Sequence, residues 1–238
     1  MNDSLLGYDI SKFICQIFQI NDGWAESIGS GIFISFPIKG MEHCLMTAAH
    51  VTEASELAIA SSLSYDSNPQ YNLLQNTDYV SQEHDWAIFS FSDDLAQDVV
   101  ESGKMFYEIK IAETYPPYAF FGFPCSKNKS KSNLVKCRPY IYRGSEISKE
   151  EYARFKINPR YCIAVNFKRE DVENVKTKEK MTFPDPQGMS GGPIFDTNGL
   201  LSGIVSNYER KFDIMYGTKF LTIVSDLLKI LEKNKAIV

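Results

Sequence analysis

The chain has 238 residues, of which 44% are apolar and 13% aromatic, and its formal net charge at neutral pH is −5. This apolar content is enough for a substantial core, in one large domain or in two tightly joined halves. The mildly acidic balance argues against a protein whose main role is to coat nucleic acid, because such proteins are usually basic.

The sequence contains no segment typical of membrane insertion or export. No run approaches roughly 18 consecutive apolar residues, so no transmembrane helix is predicted. The first residues, MNDSLLGYDISKF, lack a basic region followed by an apolar run, so we expect no secretory signal. The cysteines are odd in number and show no CxxC spacing, which is typical of reduced thiols in the cytoplasm. They are Cys15, Cys44, Cys125, Cys137 and Cys162.

Short apolar runs rich in aromatic and β-branched residues, separated by Gly, Pro, Asn and Asp, dominate the chain. Many short strands with turn signals between them predict an all-β barrel or sandwich. In chain order the runs are FICQIFQI, GIFISFPI, HCLMTA, DWAIFSF, YAFFGFP, RPYIYR, CIAVNF, GPIF, LLSGIVSNY and DIMYGTKF.

Two stretches predict helices instead. In SEISKEEYARF, Ser148 and Glu151 have the spacing of a capping box, and Ile147 and Tyr152 have that of a hydrophobic staple. The C-terminal TKFLTIVSDLLKILEKNK predicts a helix that closes the chain. Its expected apolar face consists of Phe220, Ile223, Val224, Leu227, Leu228 and Leu231.

The stretch FPDPQGMSGGPIFD, residues 183–196, predicts a sharp turn around Ser190. Glycines on both sides allow the backbone to turn tightly and allow a substrate carbonyl to approach it closely. A serine hydroxyl becomes a nucleophile only when a base removes its proton and donors stabilise the resulting oxyanion. A purely structural turn is the alternative interpretation.

Three histidines are candidates for the base that activates Ser190. His50, in CLMTAAHV, fits best because the two small alanines before it leave room for an imidazole. His43 is interpreted as a loop or strand-edge residue. His84 adjoins Asp85, so on a strand their side chains would face opposite ways. Asp85 in HDWAIFSF precedes an apolar run, which would place its carboxylate at the mouth of a sheet. Taken singly, His50 fits a core histidine and Asp85 a turn residue.

Three motifs in this chain, TAAH, DWAIF and GMSGGPIF, resemble the signatures of the trypsin-like serine peptidases, in the order His, Asp, Ser that this family uses. GSGIFIS, LLSGIVSNY and YGTKFLTIVSDLLKIL also resemble strands and the closing helix of bacterial members. The resemblance implies two antiparallel β-barrels with a C-terminal helix. It places the N-terminal barrel in residues 1–112 and the second barrel with the helix in 113–238.

The resemblance also implies the role of each site residue. Ser190 attacks the scissile carbonyl, and His50 acts first as general base and then as general acid. Asp85 holds the tautomer of His50 and stabilises the imidazolium. The N–H groups of Gly188 and Ser190 form the oxyanion hole.

Substrate-binding residues follow from the same resemblance. The hydroxyl of Ser206 would support the aspartate, and residues 206–208 would pair with the substrate backbone as an added strand. Asp185 would favour Lys or Arg at P1, whereas Tyr208 would restrict the pocket to small side chains, and the sequence does not choose between them. The expected substrate-binding set is Pro184, Asp185, Ser206, Asn207, Tyr208 and Gly217.

Two departures from the family pattern indicate which branch of the family this chain resembles. Met189 stands where activated digestive members have an aspartate, so it cannot pair with a new N-terminus. Val51 replaces the cysteine after the histidine, so the flanking disulfide cannot form. Both features resemble the bacterial intracellular or HtrA-like branch, here expected without a PDZ domain because the chain ends after the closing helix.

The sequence thus predicts a cytoplasmic serine endopeptidase that cleaves a protein or peptide substrate. A regulatory or inhibitory protein partner and a role in bacterial stress or anti-phage defence are part of this hypothesis. A catalytically silent peptide-binding module and an esterase or acyl-transfer enzyme are the alternatives. No cofactor is expected, and the histidines lack metal-ligand spacing such as HxxxH. The lysines of residues 125–138 are interpreted as a solvated loop, with a nucleic-acid or acidic-partner patch as the alternative.

Overall fold

A computed structural model describes residues 10–22, 24–60, 71–75, 77–128, 139–173 and 180–235. Residues 129–138 of the lysine-rich stretch, including Cys137, lie outside these residues, as do residues 174–179. Among the described residues, no helix is both long and apolar enough to cross a membrane.

The first sheet is built from the first half of the chain. Its strands run in the order β5-β4-β1-β2-β3-β7-β6, and all of these neighbours are antiparallel. The short β8 pairs with β2 in parallel orientation. The strands are β1 (Ile14–Asn21), β2 (Trp24–Ser35), β3 (Cys44–Thr47), β4 (Leu57–Ala60), β5 (Tyr71–Leu73), β6 (Tyr79–Ser81), β7 (Trp86–Ser90) and β8 (Tyr107–Glu108).

The second sheet is built from the second half and has the antiparallel order β10-β9-β14-β15-β16-β11. A separate two-stranded ribbon pairs β12 with β13. The strands are β9 (Tyr118–Gly122), β10 (Tyr140–Gly144), β11 (Cys162–Asn166), β12 (Val172–Glu173), β13 (Lys180–Met181), β14 (Pro193–Phe195), β15 (Leu201–Glu209) and β16 (Ile214–Lys219). The predicted fold class, two antiparallel β units with a C-terminal helix, is confirmed.

The described helices are α1 (Asp93–Glu101), α2 (Lys149–Phe155) and α3 (Phe220–Lys235), with 3-10 turns at Ile10–Lys12, Ala49–Glu53 and Arg169–Asp171. α2 begins with the predicted capping box: the Ser148 hydroxyl accepts from the Glu151 N–H, and the Glu151 carboxylate accepts from the Ser148 N–H. α1 was not predicted, although Ser92 caps it and two acidic residues favour its first turn.

The C-terminal helix packs against a core that both sheets share. Phe220, Ile223 and Leu227 are fully buried in the same cluster as residues of β2 and β14, and Val224 and Leu231 pack on its margin. The prediction for Leu228 is wrong: this side chain is 48% exposed, and Ile230 packs against the core instead. α3 therefore ties the two sheets together through a narrower apolar face than the sequence indicates.

Candidate active site

His50 and Asp85 meet because of the register of two neighbouring strands. β3 and β7 are antiparallel, with Thr47 opposite Ala87. The chain beyond the end of β3 and the chain before the start of β7 therefore leave the sheet at the same point. His50 lies in the 3-10 turn Ala49–Glu53, and Asp85 immediately precedes β7.

The imidazole of His50 and the carboxylate of Asp85 are in direct contact. Nδ1 of His50 lies 2.9 Å from Oδ1 and 3.0 Å from Oδ2 of Asp85. The backbone N–H of His50 also donates to Oδ1 at 3.0 Å. Asp85 has a φ of 52°, in the left-handed region that Asp tolerates better than most side chains. These bonds fix the ring so that Nε2 is the nitrogen left for the cleft.

The hydrogen bond that His50 Nδ1 donates to the Asp85 carboxylate raises the pKa of His50 above its ordinary value of 6.5, and the charge of Asp85 acts in the same direction. Partial burial opposes this shift because it disfavours the charged imidazolium. The net effect stabilises the protonated ring, which is the form that a general base reaches after it takes a proton.

Ser190 lies in the turn before β14 and lines two cavities together with His50, of about 390 and 570 Å³. Its hydroxyl donates to the carbonyl of Ser206 at 3.3 Å. Among the described residues there is no hydrogen bond between this hydroxyl and His50. The structure thus brings all three residues to one cleft, with the Ser190 hydroxyl turned towards β15.

The peptide units around Gly188 and Ser190 are held by their carbonyl groups. Cys125 N–H donates to the Gln187 carbonyl at 2.8 Å, and Gly192 N–H donates to the Met189 carbonyl at 2.9 Å. In a trans peptide the N–H points opposite to the carbonyl, so the N–H groups of Gly188 and Ser190 point away from these donors. No hydrogen bond within the described part of the chain occupies either N–H group.

Two glycines make this turn possible. Gly188 has a φ of 95°, and a Cβ there would lie 2.4 Å from the Cys125 sulfur. Gly191 has a φ of 83°, and a Cβ there would lie 2.0 Å from Oγ1 of Thr47 and 2.2 Å from the Ser30 carbonyl. An L side chain would be strained at both positions, and at Gly191 it would push the turn around Ser190 off β2 and β3.

Met189, the residue before Ser190, is fully buried in a cluster with Phe120, Ile194 and Met215. The sequence identifies it as unable to form the ion pair that the activated digestive members use. The turn is therefore anchored on the second sheet by apolar packing.

The cavity of about 390 Å³ lies next to Ser190 on the side of Asp185. Of the residues expected to bind substrate, Asp185, Asn207 and Tyr208 line it, whereas Ser206 lines the other cavity. Pro184 and Gly217 are not among its lining residues. Gly217 lies within the sheet, opposite Val205 and Ile163. Apolar side chains that the sequence did not single out, Ile28, Val205 and Met215, also line the cavity.

The carboxylate of Asp185 is already paired. Arg210 forms a close ion pair with Oδ2 of Asp185, and Arg169 Nη1 lies 3.9 Å from the same oxygen. Because both cations surround one carboxylate, Asp185 does not present an unpaired negative charge to the cavity. Arg210 lies beyond the end of β15, and no local pattern in the sequence indicated this contact.

The hydroxyl of Ser206 is not directed at Asp85. It lies 3.2 Å from Oγ1 of Thr218, whose hydroxyl donates to the backbone carbonyl of His84 at 2.5 Å. The expected direct support of the aspartate is therefore replaced by an indirect connection through Thr218, because the register of β15 and β16 places these two hydroxyls together. Ser206 falls at an irregularity of this register, between Val205 and Asn207.

The other side of β15 is open beside Ser190. β14 pairs with β15 only as far as Ile204. Residues 206–208 of β15 therefore have no strand partner on that side within the described residues. An extended peptide laid along them would pass in front of the Ser190 hydroxyl.

The described residues contain no cluster of three or more His, Cys, Asp or Glu side chains suited to a metal ion. The thiols also lack the environment of reactive cysteines. Burial raises the pKa of Cys44 to about 12 and also raises the pKa of Cys125 and Cys162. The cleft thus offers a hydroxyl, an imidazole, a carboxylate and two N–H groups.

No description of a protein family and no curated protein matches this chain. Solved structures do match. The serine endoprotease from Yersinia pestis has a TM-score of 0.58 and 14% identity, over 94% of this chain and 65% of that chain. The active form of the Rv3671c protease from M. tuberculosis has a TM-score of 0.51 and 15% identity, over 96% of this chain and 87% of that one. An inactive form of the same protease matches with a TM-score of 0.52 and 17% identity, over 96% of both chains.

The HtrA-type protease AlgW matches with a TM-score of 0.55 and 15% identity, over 94% of this chain and 61% of that chain. The match therefore spans less than two thirds of the length of the Yersinia protein and of AlgW. At these identities the similarity shows the architecture of the chain. The chain has the trypsin-like fold that is shared by these serine proteases, including the HtrA-type ones.

Proposed function

We propose that this protein is a serine endopeptidase in which Ser190 is the nucleophile, His50 the general base and acid, and Asp85 the residue that orients His50. The observation that carries the proposal is the contact of His50 Nδ1 with both oxygens of Asp85 in the same cleft as Ser190. A binding module needs no carboxylate-oriented imidazole beside a hydroxyl in a glycine turn.

The proposed reaction begins when the Ser190 hydroxyl rotates from the Ser206 carbonyl towards Nε2 of His50. His50 takes the hydroxyl proton as Oγ attacks the scissile carbonyl, and Asp85 stabilises the imidazolium. The N–H groups of Gly188 and Ser190 donate to the developing oxyanion. His50 then protonates the leaving amine, and a water molecule hydrolyses the acyl-enzyme by the reverse sequence of proton transfers.

The proposed substrate is an extended protein segment with a small or medium apolar residue at P1. Ile28, Val205 and Met215 give the cavity beside Ser190 an apolar lining, and Tyr208 limits its size. The ion pair of Asp185 with Arg210 removes the charge that would attract a basic P1 residue. The open side of residues 206–208 supports a backbone that binds as an added strand.

The proposal also includes a setting: a cytoplasmic bacterial enzyme in stress response or anti-phage defence that a partner protein restrains or delivers. The support for this setting is the sequence resemblance alone. Affinity capture with the Ser190→Ala variant, which would retain a bound target, tests it. Enrichment of the same protein by Ser190→Ala and by an Asp85→Asn variant, but not by an unrelated trypsin-like domain, is the expected result.

A second candidate is a peptide-binding module without catalysis. The Ser190 hydroxyl donates to Ser206 rather than to His50, and the Rv3671c protease has been solved in both an active and an inactive form. The fold is therefore compatible with a silent site.

Labelling with a fluorophosphonate separates the two candidates. We expect covalent labelling of Ser190 in the wild type, slower labelling in His50→Ala, and none in Ser190→Ala. Ser202→Ala, which removes a buried hydroxyl away from the cleft, is the matched control and should label at the wild-type rate. A folded wild type that resists labelling while it binds extended peptides would instead support the binding module.

A further inference from the structure

An oxyanion hole requires that two peptide units keep one orientation while charge develops on the substrate. Four carbonyl groups define the orientation here, those of residues 187–190. Two of them are held from within the second half of the chain, by Cys125 N–H and Gly192 N–H. The other two, of Gly188 and Ser190, are held by a residue of the first sheet.

That residue is Ser30, in the middle of β2, and it is completely buried. Its hydroxyl donates to the Gly188 carbonyl at 2.7 Å and accepts from Phe123 N–H at 2.9 Å. Its backbone N–H donates to the Ser190 carbonyl at 2.8 Å. Its own carbonyl accepts from the Thr47 hydroxyl at 2.8 Å. Every polar group of Ser30 is therefore used, and three of the four bonds reach the second half of the chain.

The hydroxyl of Ser30 acts on the conformation of Gly188 in particular. Cys125 N–H donates to the Gln187 carbonyl, and Ser30 Oγ donates to the Gly188 carbonyl. Both peptide units that flank Gly188 are therefore held. Gly188 has a positive φ and no side chain, so local sterics do not choose between alternative orientations of these peptides. Met189 cannot supply the ion pair that orients this turn in the activated digestive members, so the orientation depends on hydrogen bonds and packing.

We propose that Ser30 is a positioning residue whose hydroxyl holds the oxyanion hole in its binding orientation from across the two sheets. This inference rests on the proposed peptidase function. Without the hydroxyl, the Gly188 carbonyl and the Phe123 N–H lose their partner in a water-excluded region. Within the described residues, the peptide unit that follows Gly188 then keeps one hydrogen bond, from Met189 N–H to the Pro186 carbonyl at 2.9 Å. With its carbonyl released this unit can tilt, so the N–H group of Gly188 no longer points steadily into the cleft.

The test compares Ser30→Ala with Ser202→Ala. Both remove a buried serine hydroxyl that donates to a backbone carbonyl. Within the described residues, however, the hydroxyl of Ser202 makes a single hydrogen bond, to the nearby carbonyl of Leu200. For Ser30→Ala we expect kcat to fall by about 10- to 100-fold with KM changed by less than about 3-fold, because removing an oxyanion donor outright costs more, roughly 100- to 1000-fold. Ser202→Ala should keep the wild-type kcat.

A second measurement separates positioning from general loosening. A peptide aldehyde that forms a hemiacetal with Ser190 uses the oxyanion hole, whereas a peptide of the same sequence ending in an amide does not. We expect Ser30→Ala to weaken the aldehyde by about the same factor as kcat/KM while the amide binds as to the wild type. Equal weakening of both ligands, or of neither, would overturn the proposal.

The two proposals fail differently. If the wild type takes no fluorophosphonate, the peptidase function fails, and the role of Ser30 is then measured without catalysis. Amide hydrogen exchange of residues 187–190, in a Ser190→Ala background, should be faster with Ser30→Ala than with Ser202→Ala. Unchanged exchange would overturn the positioning role. If Ser30→Ala does not fold, Ser30→Cys, with a similar size and a weaker donor, should show the same effects to a smaller degree.

Discussion

Asp226 of α3 and His84 form a partly buried pair, with Oδ2 of Asp226 2.6 Å from Nδ1 of His84. The same oxygen accepts from the indole N–H of Trp86 at 3.3 Å. Asp85 lies between His84 and Trp86 in the sequence and has a left-handed backbone conformation. One carboxylate of the C-terminal helix therefore holds both neighbours of the residue that orients His50.

Removing this carboxylate should loosen the attachment of α3 and the geometry of Asp85 together. For Asp226→Ala we expect a loss of about 1–3 kcal/mol in the free energy of unfolding, because the His84 and Trp86 donors lose a charged acceptor. Urea denaturation measures this loss. Lys229→Ala is the control, since Lys229 is a mostly exposed neighbour of Asp226, 3.3 Å away, and should cost less than about 0.5 kcal/mol. Equal losses would refute the role of the buried pair.

The carboxylate of Asp226 should also make the free energy of unfolding depend on pH in the acidic range. Burial raises the pKa of Asp226, but hydrogen bonds from His84, Trp86 and Lys229 outweigh it, and the net pKa lies below the ordinary value of 3.8. Because the pKa is lowered only in the folded state, the stabilisation is complete above the ordinary value and is lost as the pH falls from there through the lowered folded-state pKa. The acid-induced loss of stability should therefore be smaller in Asp226→Ala than in the wild type.

The activity should fall in acid at a higher pH than an ordinary histidine would impose. The hydrogen bond that His50 donates to the Asp85 carboxylate raises the pKa of His50. Only the neutral imidazole acts as a base, so kcat/KM is lost as the pH falls through this raised pKa. In Asp85→Asn we expect kcat/KM to fall by about 1,000- to 10,000-fold and the acid limb to move to lower pH. Profiles of kcat/KM against pH for both proteins test this. An acid limb in the same place in both would contradict it.

Tyr208 should set the size limit at P1. Its ring packs edge-on against Phe167, with centroids 5.1 Å apart, and its hydroxyl donates to Asp213 at 2.9 Å. Tyr208→Ala enlarges the cavity, so we expect the ratio of kcat/KM for P1 Phe over P1 Val to rise by about 10-fold or more. Peptide-library profiling measures it, and Tyr208→Phe, which keeps the ring, should retain the wild-type ratio. A strong preference for P1 Lys or Arg in the wild type would contradict the apolar assignment of this cavity.

Met189 should stabilise the nucleophile turn by apolar burial. For Met189→Ala we expect a loss of about 2–4 kcal/mol in the free energy of unfolding. Met189→Leu should cost less than about 1.5 kcal/mol, because it nearly conserves volume. Met189→Asp buries an unpaired carboxylate in the same cluster and should be the most destabilising of the three. Urea denaturation ranks the variants. A stable and active Met189→Asp protein would show that the cluster holds a carboxylate without the expected cost.

Local patterns predicted the parts of this protein that depend on neighbours in the sequence. The capping box of α2 requires only Ser148 and Glu151, and both bonds are present. The short apolar runs between turn residues predicted most strands, because aromatic and β-branched residues in a run favour an extended, buried backbone. α1 was missed because only Ala96 and Val99 of its residues are buried, so its apolar face is weak.

These local patterns could not predict which residues far apart in the sequence form hydrogen bonds or ion pairs with each other. The Ser206 hydroxyl was assigned to Asp85 by resemblance, yet the pairing of β15 with β16 gives it to Thr218. The sequence presents Asp185 as a charge that could bind a basic P1 side chain, yet Arg210 forms an ion pair with it. In each case the partner depends on strand register and on side-chain rotamers, which no periodicity encodes.

The sequence by itself determined the mostly β class and the C-terminal helix, because turn glycines, caps and short apolar runs act over a few residues. Its resemblance to the trypsin-like serine peptidases identified the three residues that the chain brings to one cleft. Only the tertiary structure decided that Ser30 binds the carbonyl groups of the nucleophile turn and that Asp226 holds both neighbours of Asp85. These contacts join residues more than 130 positions apart. They exist because two sheets and a helix pack on one shared core, which sets the distances between atoms that no local pattern relates.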